Sequence, residues 1–250
     1  MGAAVAAAVR GAGHHVLWAS DGRSDETRKR ADEAALEDAG SAAELARRSD
    51  VVLSVCPPHA ALEVARSVGG FSGVFVDANA VSPATAREVA GIVEAGGAEF
   101  VDAGIVGSPP RESGTTRLYL SGDTASTVAG LFAGTVVDTR VVSDQIGAAS
   151  AVKMAYAGWT KGTAALLIAT RDLARAEGVE AALREEWRLS LPDLPDRLER
   201  ALASAGAKGW RWVGEMKEIA STFSAAGLPG GFHEAAAEVF RALSADPQRK

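Results

Sequence analysis

Continuous apolar segments alternate with helical segments through the first part of this chain, up to about residue 143. The clearest apolar runs are Asp50–Val55, Gly73–Asp77 and Glu99–Ala103. A strand that is apolar on both of its faces is typical of a parallel sheet that helices cover on both sides. The alternation therefore predicts an α/β domain built on a parallel sheet.

The helical segments between these strands carry recognisable start signals. An Ala-rich helix is predicted at residues 2–12, and Ser24 is a suitable N-cap for a helix over Ser24–Leu36. Pro83 can occupy the first position of a helix over Pro83–Ala95. The remaining predictions are helices at Ser41–Arg48, His59–Val68 and Thr124–Ala133, and strands at Val16–Ala19, Arg117–Ser121 and Thr135–Val142.

The second half of the chain shows no strand pattern. Helices are predicted at 145–176, Leu183–Leu191, Arg197–Ala205, Trp210–Ala226 and Phe232–Leu243. We therefore expect two domains, an α/β domain at residues 1–143 and an all-helical domain at residues 144–250.

Composition narrows the class of protein. Hydrophobic residues make up 47% and charged residues 23%, as in soluble globular proteins. A net charge of −6 without a long basic run argues against nucleic-acid binding. No long uncharged apolar segment suggests a membrane span, and the start of the chain does not read as a signal peptide, so a cytoplasmic location is expected. The lone Cys56 excludes an internal disulfide, and a buried inert thiol is expected; the four histidines suggest no metal site.

The ends of three strands indicate a small-molecule site. The runs CPP at Cys56–Pro58, DANAVSP at Asp77–Pro83 and DAGIVGSPP at Asp102–Pro110 each follow an apolar strand. Small residues and prolines there let a ligand approach the backbone. Ligands of open parallel sheets bind outside the carboxyl ends of the strands, so we expect the site at this edge.

Lys153 is the candidate for acid–base chemistry. It lies in the segment QIGAASAVKMAYAGWTKGTAALLIAT, in which small and apolar residues dominate. An ammonium is costly to bury without a partner, and lysines held in this way can act as general acids or bases. The alternative is a lysine at the helix edge whose charge reaches water.

The turn after the strand at Val16–Ala19 reads SDGRSDETRKR and bears on cofactor choice. Arginine and hydroxyl groups suit a 2′-phosphate, as in NADP, and Ser20, Arg23, Ser24 and Arg28 supply them. Asp21 could instead accept hydrogen bonds from a ribose 2′-hydroxyl, as in NAD. A solvated start of a helix is the alternative interpretation.

Other conspicuous residues are given structural interpretations. Lys161 is expected to be structural, and Arg171 and Asp172 are expected on the solvent face. Trp210 and Trp212 are expected in the core or at a dimer interface.

The order of the motifs resembles the β-hydroxyacid dehydrogenase superfamily, which includes 3-hydroxyisobutyrate and 6-phosphogluconate dehydrogenases. The matching segments are Met1-Gly2, DVVLSVCPP, VDANAVSP, FVDAGIVGSPP and SAVKMAYAGW, and they run from Met1 to Trp159. The C-terminal stretch that begins WRWVGEMKEIAS resembles a helical domain of a less characterised branch. The resemblance implies a Rossmann-like domain followed by an all-α domain that usually forms a homodimer.

The resemblance also implies roles for individual residues. Lys153 would be the catalytic lysine that exchanges a proton with the substrate hydroxyl. Cofactor contacts would come from Gly2, Ser20, Arg23, Ser24, Cys56, Pro57 and Asn79. The substrate would contact the loop Val106-Gly107-Ser108, and Glu215 would reach the active site from the helical domain.

Three departures from the family pattern stand out. Val106 replaces the family's substrate-binding serine, and Ala157 replaces the asparagine that follows the lysine. Tyr156 could supply a hydroxyl instead. The strand and glycine-rich loop that precede the first helix in the family are not in the sequence. We therefore expect an N-terminally shortened version of a complete enzyme, a sheet without its first strand and reduced solubility.

The resulting prediction is an NAD(P)-dependent oxidoreductase that acts on a small hydroxy acid or carbonyl compound, with NADP(H) preferred and NAD(H) possible. The alternatives are an imine reductase, a truncated non-catalytic protein that only dimerises, and a sensor that binds the dinucleotide without turnover.

Overall fold

The first unit of the protein is built on two sheets. The computed structural model describes residues 1–245. The strands are β1 Leu17–Trp18, β2 Glu37–Asp38, β3 Val51–Ser54, β4 Val74–Asp77, β5 Glu99–Gly107, β6 Thr116–Ser121 and β7 Val137–Ser143. The two short strands β1 and β2 form a parallel pair, and the other five form a sheet in the order β3–β4–β5–β6–β7.

Helices follow most of the strands. They are α1 Gly2–Gly11, α2 Asp25–Glu33, α3 Ala42–Arg47, α4 Ala61–Ser67 after a 3₁₀ turn at Pro58–Ala60, α5 Pro83–Glu94 and α6 Ala125–Gly130. As predicted, the Ser24 hydroxyl accepts a hydrogen bond from the backbone N–H of Thr27 at the start of α2. Pro83 opens α5 behind the N-cap Ser82, also as predicted. These caps satisfy N–H groups that the helices leave unpaired.

Both faces of the larger sheet are covered, as the continuous apolar strands predict. On one face Phe75 and Phe100, which are partners on β4 and β5, stack at 6.4 Å in a core shared with α4 and α5. On the other face Val76 and Val101 join a core that includes Val5 of α1. Successive residues of a strand point to opposite faces, so adjacent residues enter different cores. The α/β prediction is confirmed.

The sheet is not parallel throughout, which corrects one expectation. Strands β3, β4 and β5 are parallel, whereas β6 runs antiparallel to β5 and pairs in parallel with β7. A parallel crossover needs a connection of about a dozen residues or more. Residues 108–115, which join β5 to β6, are too few for that, so the chain returns as a hairpin.

The second unit is entirely helical within the described residues. Its helices are α7 Ala148–Ala176, α8 Glu180–Ser190, α9 Leu194–Ala225 and α10 Gly231–Ala245. The sequence predicts a break between Ala205 and Trp210, and that prediction is wrong because α9 is continuous. Gly209 lies inside it, and a Cβ there would be 3.2 Å from Ser244 Oγ of α10. This glycine therefore permits close packing of two helices.

The chain divides into two compact units between Lys153 and Met154, within α7. The sequence places the boundary at 143/144. The structure assigns the first turns of α7 to the sheet because Ala149 packs directly against Gly104 of β5. The last five residues of the expected helical domain, 246–250, lie outside the described residues.

The burial of Arg171 and of two tryptophans in the helical unit can be compared with the expectations from the sequence. Arg171 is buried, and its guanidinium lies 2.8 Å from the Asp172 carboxylate, so the expected solvent-facing position is wrong. Trp210 is exposed, whereas Trp212 packs edge-on against Phe240 at 5.0 Å between ring centroids.

Across residues 1–245, no helix combines the length and the apolar character needed to cross a membrane.

Candidate active site

A row of buried polar side chains crosses the sheet where β3 and β4 end. Ser54, Asp77, Asp102 and Ser121 are successive register partners on β3, β4, β5 and β6. All four are buried. Neighbouring strands lie about 4.8 Å apart, so these groups form one continuous polar line within the sheet. Buried polar groups need hydrogen-bond partners, and the partners here set the geometry of the site.

Asp102 fixes the start of α7. Its carboxylate accepts hydrogen bonds from the backbone N–H of Ser150 at 2.9 Å and from the Ser150 hydroxyl at 2.6 Å. The Ser121 hydroxyl donates to the same carboxylate at 3.1 Å and accepts from the backbone N–H of Ala149 at 3.0 Å. Asp102 therefore caps the helix from a neighbouring strand, and a carboxylate is favourable at a helix N-terminus. Burial raises the pKa of Asp102, and these hydrogen bonds oppose that rise.

Lys153 is positioned by the same contact between helix and strand. It is half-buried and lies three residues after Ser150 on α7. A Cβ built on Gly104 of β5 would lie 2.8 Å from the Ala149 carbonyl oxygen and 2.9 Å from the Lys153 Cβ. Only glycine therefore allows α7 to approach β5 this closely. The Lys153 backbone is held against the sheet at the place where the sequence predicts the site.

Asn79 joins the ends of β3 and β4. Its side-chain amide donates to Ser54 Oγ at 2.9 Å and to Asp77 Oδ1, and its carbonyl oxygen accepts from the backbone N–H of Cys56. The backbone N–H of Asn79 also donates to Asp77 Oδ1 at 3.0 Å. Asn79 is buried, and both amide hydrogens are used. It therefore shapes the turn that carries Cys56 and Pro57, while its predicted contact with a cofactor stays a prediction.

Asp77 is the most perturbed carboxyl group of the row. The pKa of Asp77 is raised to about 7, chiefly by burial and in part by the nearby Asp102, against the hydrogen bonds from Asn79. In the described part of the chain, Asp77 Oδ2 has no hydrogen-bond partner. Burial disfavours the charged form of a carboxyl group. Asp77 therefore titrates near neutral pH.

Cys56 and Pro57 form the turn after β3. Burial raises the pKa of the Cys56 thiol to about 11, so the thiol stays protonated at neutral pH. This agrees with the expected inert thiol, although Cys56 is half-buried and not fully buried. Pro57 precedes the 3₁₀ turn in an extended conformation. A rigid turn of this kind offers backbone and apolar surface to a flat ligand.

The polar groups of the turn after β1 differ in how accessible they are to a ligand. Ser20 is buried, and its carbonyl oxygen accepts a hydrogen bond from the Arg28 guanidinium at 3.0 Å. Ser24 serves as the N-cap of α2. Arg23 is exposed, and its charge lowers the pKa of Cys56, which shows that it lies near the end of β3. Arg23 is therefore the group of this turn that is most available to an anion.

The N-terminus of α1 lies beside the end of β3. A Cβ on Gly2 would be 3.6 Å from the Val55 Cβ, in ordinary contact, and the first turn of α1 holds no acidic residue. Helix N-termini present backbone N–H groups and favour negative charge. The residues here therefore fit the phosphate groups of a dinucleotide.

The predicted substrate loop is partly enclosed. Val106 is buried on β5, whereas Ser108 is exposed and its carbonyl oxygen accepts a hydrogen bond from the Thr116 hydroxyl. Gly107 has φ of +115°, and a Cβ there would lie 2.0 Å from the Thr115 carbonyl oxygen. Glycine is therefore required at the end of β5. Of the three, Ser108 can present a side chain to solvent.

The other predicted site residues belong to the helical unit. Tyr156 is exposed on α7, three residues after Lys153. Glu215 is buried, and its carboxylate forms an ion pair with Lys161. The expectation that Lys161 is structural agrees with this pair.

Sequence reasoning missed the supporting residues Asp102, Ser121, Ser150 and Gly104. The signal that could have found Asp102 was present, because Asp77 and Asp102 stand at matching places in two apolar strand runs. Their register, and the helix that Asp102 caps, could not be read from the sequence. No cluster of three or more metal-binding side chains occurs in residues 1–245.

These features define an α/β dinucleotide-binding fold. Residues 1–130 match the family model for the NAD binding domain of 6-phosphogluconate dehydrogenase, so the chain belongs to that family. Residues 174–243 match a domain of unknown function, DUF1932. The expected Rossmann-like domain followed by a helical domain is thereby confirmed, as is an oxidoreductase-type family.

Two proteins without an assigned function are similar to this chain in sequence or in structure. An uncharacterised 28.5 kDa protein of Methanothermus fervidus is 30% identical over 165 residues, and the match spans 66% of this chain but only 63% of that protein. A conserved hypothetical protein of Sinorhizobium meliloti has 28% identity and a TM-score of 0.72 over 99% of this chain and 86% of its own.

Two enzymes share the fold at lower identity. The 3-hydroxyisobutyrate dehydrogenase of Salmonella typhimurium has 20% identity and a TM-score of 0.71, over 96% of this chain and 90% of its own. A reductive aminase of Aspergillus terreus in complex with NADPH has 21% identity and a TM-score of 0.59, over 97% and 90%. At these identities the likeness concerns the fold.

Proposed function

We propose that this protein is an NADP-linked oxidoreductase in which Lys153 is the general acid and base for a small hydroxy acid or carbonyl substrate. A bound nicotinamide would supply or accept the hydride. In reduction, the Lys153 ammonium would donate a proton to the oxygen of the substrate carbonyl. In oxidation, the neutral amine would take the proton from the hydroxyl.

The observation that carries this proposal is the position of Lys153. The Asp102 carboxylate holds the start of α7 through Ser150, and Gly104 lets that helix lie directly on β5. A proton donor must be held in one place relative to the reacting atoms, because small displacements reduce rates strongly. A lysine at a freely moving helix edge would need none of these buried contacts.

The cofactor proposal rests on the carboxyl edge of the sheet. Gly2 would receive the phosphates at the start of α1, while Cys56 and Pro57 form the turn expected beside the nicotinamide and Asn79 holds that turn. Arg23 is exposed near this edge, and Ser20 and Ser24 stand on either side of it in the chain. A guanidinium pairs well with a phosphate, so NADP(H) is preferred over NAD(H).

The substrate would contact the loop Val106-Gly107-Ser108, where Ser108 offers an exposed hydroxyl. Tyr156, three residues after Lys153 on α7, offers a second one. Glu215 is proposed to contribute an acidic group, although its carboxylate already pairs with Lys161.

Imine reduction is a second candidate, and two positions favour it. Val106 and Ala157 are both buried and apolar where the resemblance expects serine and asparagine. The site therefore lacks two groups that would bind a hydroxy acid. The aminase of similar fold binds NADPH, which agrees with this candidate.

A homodimer through the helical unit is part of the proposal. Trp159, Leu166 and Leu173 of α7 are spaced by seven residues and are 70%, 68% and 63% exposed. Apolar residues at this spacing form one stripe along a helix, which typically packs on another helix. The lone free thiol, Cys56, suits the cytoplasm, where we propose that the enzyme acts.

Calorimetric titration with NADPH and NADH, followed by assays, tests the function. Lys153→Met should keep NADPH binding and reduce kcat/KM by about 10²–10⁴-fold, the usual contribution of general acid–base catalysis. The matched control is Lys217→Met, which removes an exposed lysine of α9 and should leave both unchanged.

The assays also separate the candidates. Turnover of 3-hydroxyisobutyrate with NADP⁺ supports the dehydrogenase, and turnover of a cyclic imine with NADPH supports the reductase. NADPH binding without turnover of either would indicate a sensor. Equal turnover by Lys153→Met and the unmodified protein would refute the role of Lys153.

A further inference from the structure

An open, solvent-exposed cavity of about 380 Å³ lies at the surface of the helical unit, between α7 and α9. We call it the α7–α9 cavity. The α7 wall includes Thr160, Lys161 and Thr163. Both threonine hydroxyls donate to backbone carbonyl oxygens one turn earlier, so their hydrogens are already used. The volume is at the lower end of the range for small-molecule sites, about 300–1,000 Å³.

The α9 wall is positively charged. Arg197 and Arg200 both line the cavity, and Ser204 one turn further adds a hydroxyl. In the described part of the chain neither guanidinium forms an ion pair, although Asp193 and Asp196 precede them by four residues. Like charges three residues apart on a helix repel one another. The two guanidiniums are therefore neighbouring cations that a single anion of suitable size could bind together.

The cationic side chains of the lining favour an anionic ligand. Lys161 also lines the cavity, but its ammonium is paired with the buried Glu215 carboxylate and lies 5.6 Å from the Trp212 ring. These two charges offset each other, so Arg197 and Arg200 are the cations of the lining that remain for a ligand. Guanidinium groups bind carboxylates and phosphates through paired hydrogen bonds. A ligand with two negative charges matches this wall.

Trp212 supplies an apolar part of the lining. It is held edge-on by Phe240 at 5.0 Å and contributes to the cavity together with Ala164 and Leu167. Anion-binding groups together with aliphatic and aromatic surface in one lining suit a small organic molecule that carries charged groups.

We infer that the α7–α9 cavity binds a small organic dianion, a dicarboxylate or a phosphate monoester, through Arg197 and Arg200. This inference goes beyond the proposed oxidoreductase activity and does not depend on Lys153. The site is tested by binding alone, without cofactor, so its result is independent of turnover.

The experiment is calorimetry of the full chain with succinate and with phenyl phosphate, and with acetate as the monoanion. Succinate or phenyl phosphate should bind at least about tenfold more tightly than acetate, because one charged hydrogen-bonded pair is worth roughly a tenfold change in affinity. Which dianion binds more tightly identifies the carboxylate or the phosphate class. Failure of both dianions to bind would overturn the inference.

Two variants locate the binding. Arg197→Gln with Arg200→Gln should weaken binding of the preferred dianion by at least about tenfold. Ser204→Phe should do the same by filling the cavity without a change of charge, and Ser204 is exposed enough to accept the ring. The control Arg175→Gln with Arg188→Gln removes the same charge from two arginines that do not line the cavity and should bind normally. Equal losses in control and test variants, or no loss in the test variants, would contradict a built site.

Discussion

The sheet, at the carboxyl ends of β3 and β4, and the helical unit hold their charged groups in different ways. At the sheet edge, Asp102 receives a backbone N–H and two hydroxyl groups, and its own position is set by strand register. In the helical unit, Lys161 and Glu215 depend on each other, and Arg197 and Arg200 face a cavity. The first arrangement uses the backbone, and the second uses side chains alone.

The two regions therefore differ in how freely their charged groups can move. Backbone donors do not move unless a helix or strand moves, so the groups around Asp102 are preorganised. Side chains on helices can exchange partners at the cost of a rotamer change. A rigid position suits proton transfer at Lys153, and adjustable cations suit the capture of a ligand.

The largest expected change in stability comes from Asp102→Ala. The substitution leaves the N–H of Ser150 and the hydroxyls of Ser150 and Ser121 without their buried acceptor. Unfolding free energy should fall by about 3–5 kcal/mol, because each orphaned buried donor is destabilising. Denaturant unfolding measures this loss. Asp123→Ala, at an exposed position, is the control and should change stability by under about 0.5 kcal/mol. Similar losses in both would remove the distinction.

Asp77 makes the sheet edge sensitive to pH. Its folded-state pKa is raised to about 7, above the ordinary value of 3.8. Between these values the unfolded chain releases the proton that the folded protein keeps. Stability should therefore be highest below about pH 4 for this group and fall as pH rises to 7, by up to about 4 kcal/mol.

Unfolding experiments at pH 4.5 and pH 7.5 measure this contribution. Asp77→Asn cannot titrate, so the variant should lose less stability over this interval than the unmodified protein. Since other groups also titrate, the difference between the two proteins is the relevant quantity. Parallel stability curves for the two would show that Asp77 is not the source.

A smaller effect is expected in the helical unit, from a cycle on Lys161 and Glu215. Glu215→Ala should cost about 1–3 kcal/mol because it leaves a largely buried ammonium without its carboxylate. Lys161→Met combined with Glu215→Leu should cost less than Glu215→Ala, since apolar replacement of both partners removes the unpaired charge. Thermal unfolding of the double variant and of the single variants Lys161→Met and Glu215→Leu completes the cycle. Additive losses would mean that the pair does not act as a unit.

Local sequence signals predicted much of the fold. Ser24 and Pro83 predicted the starts of their helices because capping and the fixed φ of proline are properties of a few adjacent residues. The apolar runs predicted β3, β4 and β5 for the same reason. The predicted break between Ala205 and Trp210 was wrong: glycine weakens an isolated helix, but Gly209 here allows α10 to pack against α9.

The candidate site was predicted only in outline. The motif order placed Lys153 and the ends of the strands in one region, and the polar strand ends Asp77 and Asp102 are visible in the sequence. Their pairing across β4 and β5 is a property of register, which joins residues far apart in the chain. Arg171 was misplaced for a similar reason, because its burial depends on what packs against α7.

The alternation of strands and helices, the family and the lysine in an apolar helix were all readable from the amino-acid sequence. These follow from local periodicity and the order of short motifs. The tertiary structure decided the antiparallel return of β6, the capping of α7 by Asp102 and the joining of two arginines and a buried ion pair around one cavity. Each of these depends on contacts between distant residues, whose geometry is fixed only when the elements pack together.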